Sequence, residues 1–172
     1  NTLIYRGDVQ RRQMVETGEI APDFTLRGTD GQLLSQYTLS EYTAGGYVVL
    51  SFYMNDFSPV CSEQMCDLDD IDLFQFERDV SMFGISPDYV YSHREYSRQK
   101  GLTFPLLSDT KFDVAKRYGV YDEGAESGVR RALFLVDSDR RVRYRWVAGD
   151  NWAAWDHHRT ENLKAALDRV RV

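Results

Sequence analysis

Two thiols stand in this 172-residue chain, Cys61 and Cys66, and their setting points to chemistry as well as packing. Pro59 suits the first turn of a helix, which puts Cys61 among amide hydrogens that have no partner one turn back. Those hydrogens carry partial positive charge, favour a thiolate over a thiol and make a cysteine there a nucleophile. Ser58 lies three residues before Cys61, the spacing at which a hydroxyl can cap the turn and also approach the sulfur. The competing reading is a buried core cysteine that fills apolar space. Cys66 follows five positions later. In an intact helix that interval separates the two α-carbons by about 8.6 Å, and a disulfide needs less than about 7 Å. A bond between them therefore requires the start of the helix to unwind. The spacing describes a redox cycle in which Cys61 is oxidised to a sulfenic acid, the helix opens and Cys66 attacks to form the disulfide. Otherwise Cys66 is an apolar filler of its helix.

Other candidates are weaker. Arg130 and Arg131 are neighbours on a strand, so only one of them can face a given site. Asp67, Asp69, Asp70 and Asp72 resemble a calcium loop in density of charge, but the sixth position is not glycine and the twelfth is Arg78 rather than Glu. A solvated acidic helix face explains them better. His157 and His158 beside Trp152 and Trp155 lack a third ligand and read as a polar loop rather than a metal centre. His93 reads as structural. Trp146, Trp152 and Trp155 read as packing for the last helix, with a docking surface as the lesser alternative.

The elements that must position these residues follow from period and punctuation. Phe24–Leu26 and Gln32–Ser35 flank Gly28 and Gly31 as a short hairpin, and Leu39–Tyr42 is a helical turn before Gly45 and Gly46. The segment 47–54 is apolar on both faces, as in a buried central strand. A helix is predicted from Pro59 to about Arg78, with Val60, Met65, Leu68, Ile71, Phe74 and Phe76 at helical spacing. Val80–Ser86 is a second core strand. Asp88–Lys100 is a helix closed by Gly101, Phe104–Leu107 an edge-like strand and Lys111–Tyr118 a helix closed by Gly119. Arg131–Val136 and Val142–Val147 form a closing hairpin, and Thr160–Arg171 a final helix with Leu163, Leu167 and Val170 inward. This alternation predicts an α/β domain over 14–172, with a mixed sheet covered on both sides and an N-terminal β-hairpin. Residues 1–13 show no period and read as a tail.

Composition narrows the possibilities. The length suits one domain able to bury a core. A net charge of −6, with 21 basic and 27 acidic residues, disfavours a general electrostatic grip on nucleic acid or anionic lipid. No apolar run approaches the roughly 20 residues of a membrane helix. The first residues lack the pattern of a signal peptide, and two cysteines are too few for a disulfide-built fold. The expectation is a cytoplasmic protein.

With these residues in view, the sequence resembles the peroxiredoxins of the alkyl hydroperoxide reductase and thiol-specific antioxidant superfamily, over about residues 18–148. Gly18-Glu19-Ile20-Ala21-Pro22-Asp23-Phe24-Thr25-Leu26 is similar to that family's N-terminal signature and Phe57-Ser58-Pro59-Val60-Cys61-Ser62-Glu63-Gln64 to its active-site loop. Ile85-Ser86-Pro87-Asp88 with Ser92-His93, Phe104-Pro105-Leu106-Leu107-Ser108-Asp109 and Arg131-Ala132-Leu133-Phe134-Leu135-Val136-Asp137 resemble three later blocks. The resemblance implies a thioredoxin-like fold and reduction of hydrogen peroxide or organic hydroperoxides, with Cys61 as the peroxidatic nucleophile. It implies that Ser58 orients the peroxide, that Arg131 rather than Arg130 stabilises the thiolate and the breaking O–O bond, and that the amides of Val60 and Cys61 assist. Phe57, Val60 and Met54 would line the substrate pocket. The interval from Cys61 to Cys66 is similar to the bacterioferritin-comigratory-protein branch, in which the second cysteine resolves the first within one chain and a thioredoxin-type dithiol protein regenerates both. No cofactor or metal is implied, and the chain would act as a monomer or homodimer. The sequence departs from the family at Met54, where the motif begins with proline; a thioether there either loosens the screen around the thiolate or fills the same apolar volume. Two further readings compete with the peroxidase. One is a thioredoxin-like disulfide exchanger, which calls for a Cys-x-x-Cys pair that is absent. The other is a redox-sensing or binding module weakened in catalysis.

Overall fold

The computed structural model of the protein describes residues 14–70, 79–124, 128–149, 155–156 and 158–171. The predicted tail over 1–13 and the predicted run of helix through Ile71, Phe74 and Phe76 to Arg78 lie outside these residues, as do Asp72, Trp152 and His157.

The strands are β1 (Thr25–Thr29), β2 (Leu34–Thr38), β3 (Tyr47–Phe52), β4 (Val80–Ser86), β5 (Leu106–Ser108), β6 (Ala132–Val136) and β7 (Val142–Val147). The described helices are α1 (Leu39–Thr43), α2 (Pro59–Asp70), α3 (Val90–Lys100), α4 (Asp113–Tyr118) and α5 (His158–Val170). The strands form one seven-stranded sheet in the order β2-β1-β5-β4-β3-β6-β7. β3, β4 and β5 run parallel, while β6 pairs antiparallel with β3 and the β1–β2 hairpin joins antiparallel through β5. The most apolar strands take the centre, where both faces are covered.

Alternation along β3 separates two cores. Val48, Leu50 and Phe52 point to one face and pack with Phe83, Phe134, Leu39 of α1 and Tyr118 of α4. Val49 and Tyr53 point to the other, with Cys61, Met65 and Leu68 of α2, Tyr96 of α3 and Leu163 and Leu167 of α5. The sheet is therefore covered on both sides, which is the layered α/β arrangement the pattern predicts. No described helix is long and apolar enough to cross a membrane.

Two local expectations are corrected. The predicted edge-like strand is interior: β5 lies between β1 and β4, with Gly28 opposite Leu107 on one side and Gly84 opposite Leu106 on the other. Pro105 suggests an edge because it cannot donate to a ladder, yet it sits just before β5 and contributes its carbonyl, which accepts from Gly84 N–H at 3.0 Å. The predicted hairpin turn also begins too early. Gly28 and Thr29 belong to β1, and the turn is tied by Asp30 Oδ1, which accepts from the amides of Gln32 and Leu33 at 2.9 and 2.8 Å. Gly28 marks a close approach rather than a turn, since a Cβ there would lie 2.5 Å from Leu107 Cδ2.

Candidate active site

β3 ends at Phe52, and the segment 53–58 leads from the carboxyl end of the sheet into α2, the place where open α/β sheets present ligands. Pro59 opens α2 and Cys61 is its third residue. The first backbone bond of the helix runs from Ser62 N–H to the Ser58 carbonyl at 2.8 Å, so the amides of Val60 and Cys61 precede the hydrogen-bonded ladder. Ser58 enters the helix through this carbonyl, and its hydroxyl makes no hydrogen bond to a described residue. The expected hydroxyl cap is not made to a described amide, and the carbonyl contact is the ordinary first bond of the helix.

The antiparallel register brings Arg131 to this end. Phe52 of β3 pairs with Ala132 of β6, so Arg131 lies one residue further along, beside the start of the loop. It shares its strand face with Leu133, which packs in the core beneath α2. Arg131 is 2% exposed, and its Nη1 donates to Cys61 Sγ at 3.0 Å and to Gln64 Oε1 at 3.0 Å. Arg130 faces away, paired with Asp122 at 2.6 Å and donating to the Ala148 and Gly149 carbonyls. Gln64 in turn donates from Nε2 to Ser51 Oγ at 2.8 Å and to the Phe52 carbonyl at 3.2 Å. Two of the guanidinium's contacts are thus the Cys61 sulfur and a neutral amide oxygen, which place a cation that cannot lose its proton against the thiol. Gln64 closes the loop segment 57–64, and sequence reasoning assigns it no role of its own. Its spacing of three from Cys61 puts both on one helix face and is the signal that could have identified it.

The remaining pocket candidates divide. Met54 is buried in the apolar cluster that contains Cys61, so its thioether occupies volume there instead of facing solvent. Val60 is half-buried, and Phe57 is 47% exposed at the mouth of the loop. Phe57 adopts φ 66°, a left-handed conformation that costs a side-chain-bearing residue about 1 kcal/mol. Its ring packs edge-on against Tyr96 at 5.1 Å. Cys61 and Cys66 are both free thiols on a wound α2, the first buried and the second half-buried. Burial pushes the Cys66 thiol up, Lys100 pulls it down, and Asp70, Asp69 and Asp67 push it up again.

Beneath the loop lies a buried polar cluster. Asp56 accepts from the Tyr53 hydroxyl at 2.6 Å and the Ser92 hydroxyl at 2.8 Å, and pairs with His93 Nδ1 at 2.8 Å. His93 Nε2 donates to the Leu107 carbonyl at 3.0 Å. Burial, then the nearby Asp56 charge, pushes the Tyr53 phenol well above its ordinary range, so it stays protonated as a donor. Asp56, Asp88 and His93 place their ligand atoms within 4.8 Å of one another. Asp88 is engaged by Asp56 N–H and the Ser86 hydroxyl, and both ring nitrogens of His93 are engaged as well, so the group is an internal network rather than an open donor set. The acidic residues of α2 are likewise committed in part: Asp67 accepts from Trp155 Nε1 and Asp69 from Thr103. Trp146 packs edge-on against Trp155, with Arg159 of α5 over its ring.

The arrangement is that of a buried thiol at a helix start, facing a fixed cation, at the mouth of a covered sheet. The AhpC/TSA family model matches residues 17–145. Peroxiredoxin Bcp of Bacillus subtilis (strain 168) is 34% identical over 137 residues, covering 77% of this chain and 85% of that protein. Peroxiredoxin Bcp of Escherichia coli (strain K12) is 30% identical over 150 residues, covering 84% of this chain and 91% of that protein. Among solved structures, Peroxidoxin BcpB from Mycobacterium tuberculosis superposes with a TM-score of 0.77 at 28% identity, covering 92% of this chain and 99% of that one. The bacterioferritin comigratory protein of Xanthomonas campestris, studied for its alkyl peroxide reduction activity, gives a TM-score of 0.73 at 25% identity, covering 90% and 96%. These likenesses bear out the expected thioredoxin-like fold. The chain therefore belongs to the AhpC/TSA family, as a thiol peroxidase of the Bcp-like peroxiredoxin branch.

Proposed function

We propose that the chain reduces hydrogen peroxide and organic hydroperoxides with Cys61 as the attacking thiolate, Cys66 as the resolving thiol and a thioredoxin-type dithiol protein as the reductant. The observation that carries this reading is the 3.0 Å contact between Arg131 Nη1 and the sulfur of a fully buried Cys61. A fixed cation that cannot lose its proton stabilises the thiolate and then the charge that develops as the O–O bond breaks. The Cys61 sulfur takes the terminal peroxide oxygen, the O–O bond breaks, and the departing alkoxide or hydroxide is protonated to alcohol or water. The Ser58 hydroxyl and the amides of Val60 and Cys61 orient the peroxide, while Met54, Val60 and Phe57 bound its apolar part. Cys66 then displaces water from the Cys61 sulfenic acid to give the disulfide. A cytoplasmic location suits this cycle, since a reducing compartment regenerates the dithiol.

Cys61→Ser should abolish peroxide consumption. Cys66→Ser should retain the first oxidation and lose turnover with a dithiol reductant. Mass spectrometry after one equivalent of peroxide should show loss of two hydrogens, mapped to a Cys61–Cys66 disulfide. Continued turnover by Cys61→Ser, or a stable gain of one oxygen in the unmodified sequence, contradicts the cycle.

A further inference from the structure

Tyr96 is fully buried on α3 and touches the chain on both sides of Cys61. Its hydroxyl is hydrogen-bonded to Ser62 Oγ at 2.9 Å, one residue after the cysteine. Its ring is the surface against which Phe57, four residues before the cysteine, packs at 5.1 Å and 69°. Phe57 holds its left-handed φ of 66° against that ring, so opening the loop would release strain as well as break a contact. Burial, offset in part by the Ser62 hydrogen bond, pushes the Tyr96 phenol up to about 12, and it remains a neutral hydrogen-bonding group at ordinary pH. Neither contact touches the sulfur, Arg131 or Ser58. Both must be lost when the first turn of α2 unwinds.

We propose that Tyr96 is a positioning residue that keeps this turn wound after Cys61 is oxidised, and so sets how the sulfenic acid divides between Cys66 and a second peroxide. The inference rests on the Cys61–Cys66 cycle proposed above. In one branch the Cys66 sulfur bonds to the Cys61 sulfur, the S–O bond breaks, and the hydroxide leaves as water with the thiol proton. In the other branch the sulfenate takes the terminal oxygen of a second hydroperoxide and becomes a sulfinic acid, with alcohol or water leaving. The first branch needs the helix open, because the wound form keeps the α-carbons about 8.6 Å apart. The second proceeds with the helix closed around the substrate. A tether on the closed form therefore favours over-oxidation at the expense of the disulfide.

The test compares Tyr96→Phe, which keeps the ring and removes the hydroxyl, with Ser62→Ala and the double variant. Oxidation by hydrogen peroxide is followed by rapid acid quench and mass spectrometry. Disulfide formation should be about fivefold faster in each single variant, the factor one net hydrogen bond makes, and no faster in the double variant because both partners serve one bond. The sulfinic fraction at excess peroxide should fall to match, with the rate of the first oxidation unchanged. Should Tyr96→Phe fold poorly, Ser62→Ala carries the same comparison from the surface of α2. A disulfide that forms at one rate in all four proteins overturns the role of Tyr96 alone. The absence of any Cys61–Cys66 disulfide in the unmodified chain overturns the parent cycle and this inference together.

Discussion

Arg131 and Cys66 mark the opposite ends of the proposed cycle, and each is governed by its immediate neighbours. Arg131 is buried against a sulfur and an amide oxygen, so its charge is neither screened by water nor cancelled by a carboxylate at those two contacts. Cys66 lies in the reverse setting: burial and then Asp70, Asp69 and Asp67 hold its thiol above the ordinary range, against the pull of Lys100. Only the thiolate attacks, so a raised thiol pKa means that the reactive fraction is small at neutral pH and grows as pH rises. The disulfide-forming step should therefore accelerate by about tenfold per pH unit through neutrality and level off only above the usual thiol range. Asp70→Asn removes one anion and should shift this profile to lower pH. Quenched samples taken at stepped pH after a single addition of peroxide measure it, and a flat profile between about pH 6 and 8 contradicts it.

At the scale of elements, the site depends on how closely α2 can approach the sheet. Gly84 of β4 makes room for it: a Cβ there would lie 2.7 Å from Leu106 Cδ2, 3.3 Å from Tyr53 Cε1 and 3.4 Å from Met65 Sδ. Met65 is a core residue of α2, and Tyr53 begins the loop that carries Asp56. Gly84→Ala should cost about 1–3 kcal/mol through overpacking against Leu106 and Tyr53, read as a lower urea midpoint. Unchanged stability would show that Leu106 and Tyr53 have slack to spare. The existence of α2, its start at Pro59 and the flanking central strands were legible in the sequence, because proline and β-branched or apolar runs act locally. The interior place of β5 was not, because β5 has only three residues and its second partner, β1, is almost eighty residues away. The role of Gly28 was misread for the same reason: its neighbour Leu107 comes from that distant strand.

For the molecule as a whole, the network of buried Tyr53, Asp56 and His93 with half-buried Ser92 joins the loop before α2 to α3 and, through the Leu107 carbonyl, to β5. The sheet thus supports Cys61 twice, through the core under α2 and through Asp56 in the loop. Removing one partner leaves the other polar and buried, which is far costlier than losing an exposed pair. His93→Ala should lower the stability of the fold by about 3–5 kcal/mol in urea unfolding, with little change in the slope of the transition. A loss below about 1 kcal/mol, the range of an exposed ion pair, would show that the network is not sustaining the fold.

The candidate residues that are local to one segment are legible in the sequence. Ser58, Pro59, Cys61 and Cys66 sit in a single loop and helix, and the interval between the cysteines alone forbids their disulfide while that helix is wound. Tertiary structure decided everything that pairs this segment with a distant one. Arg131 reaches Cys61 because β6 runs antiparallel to β3 in one register, and a one-residue slip would have turned Arg130 inward instead. Gln64 gained its part from that same convergence. Tyr96 and His93 gained theirs from the packing of α3 beside the loop. The residue types and the helix start are written in local propensity, whereas the contacts that complete the site follow from sheet order and burial, which no local window contains.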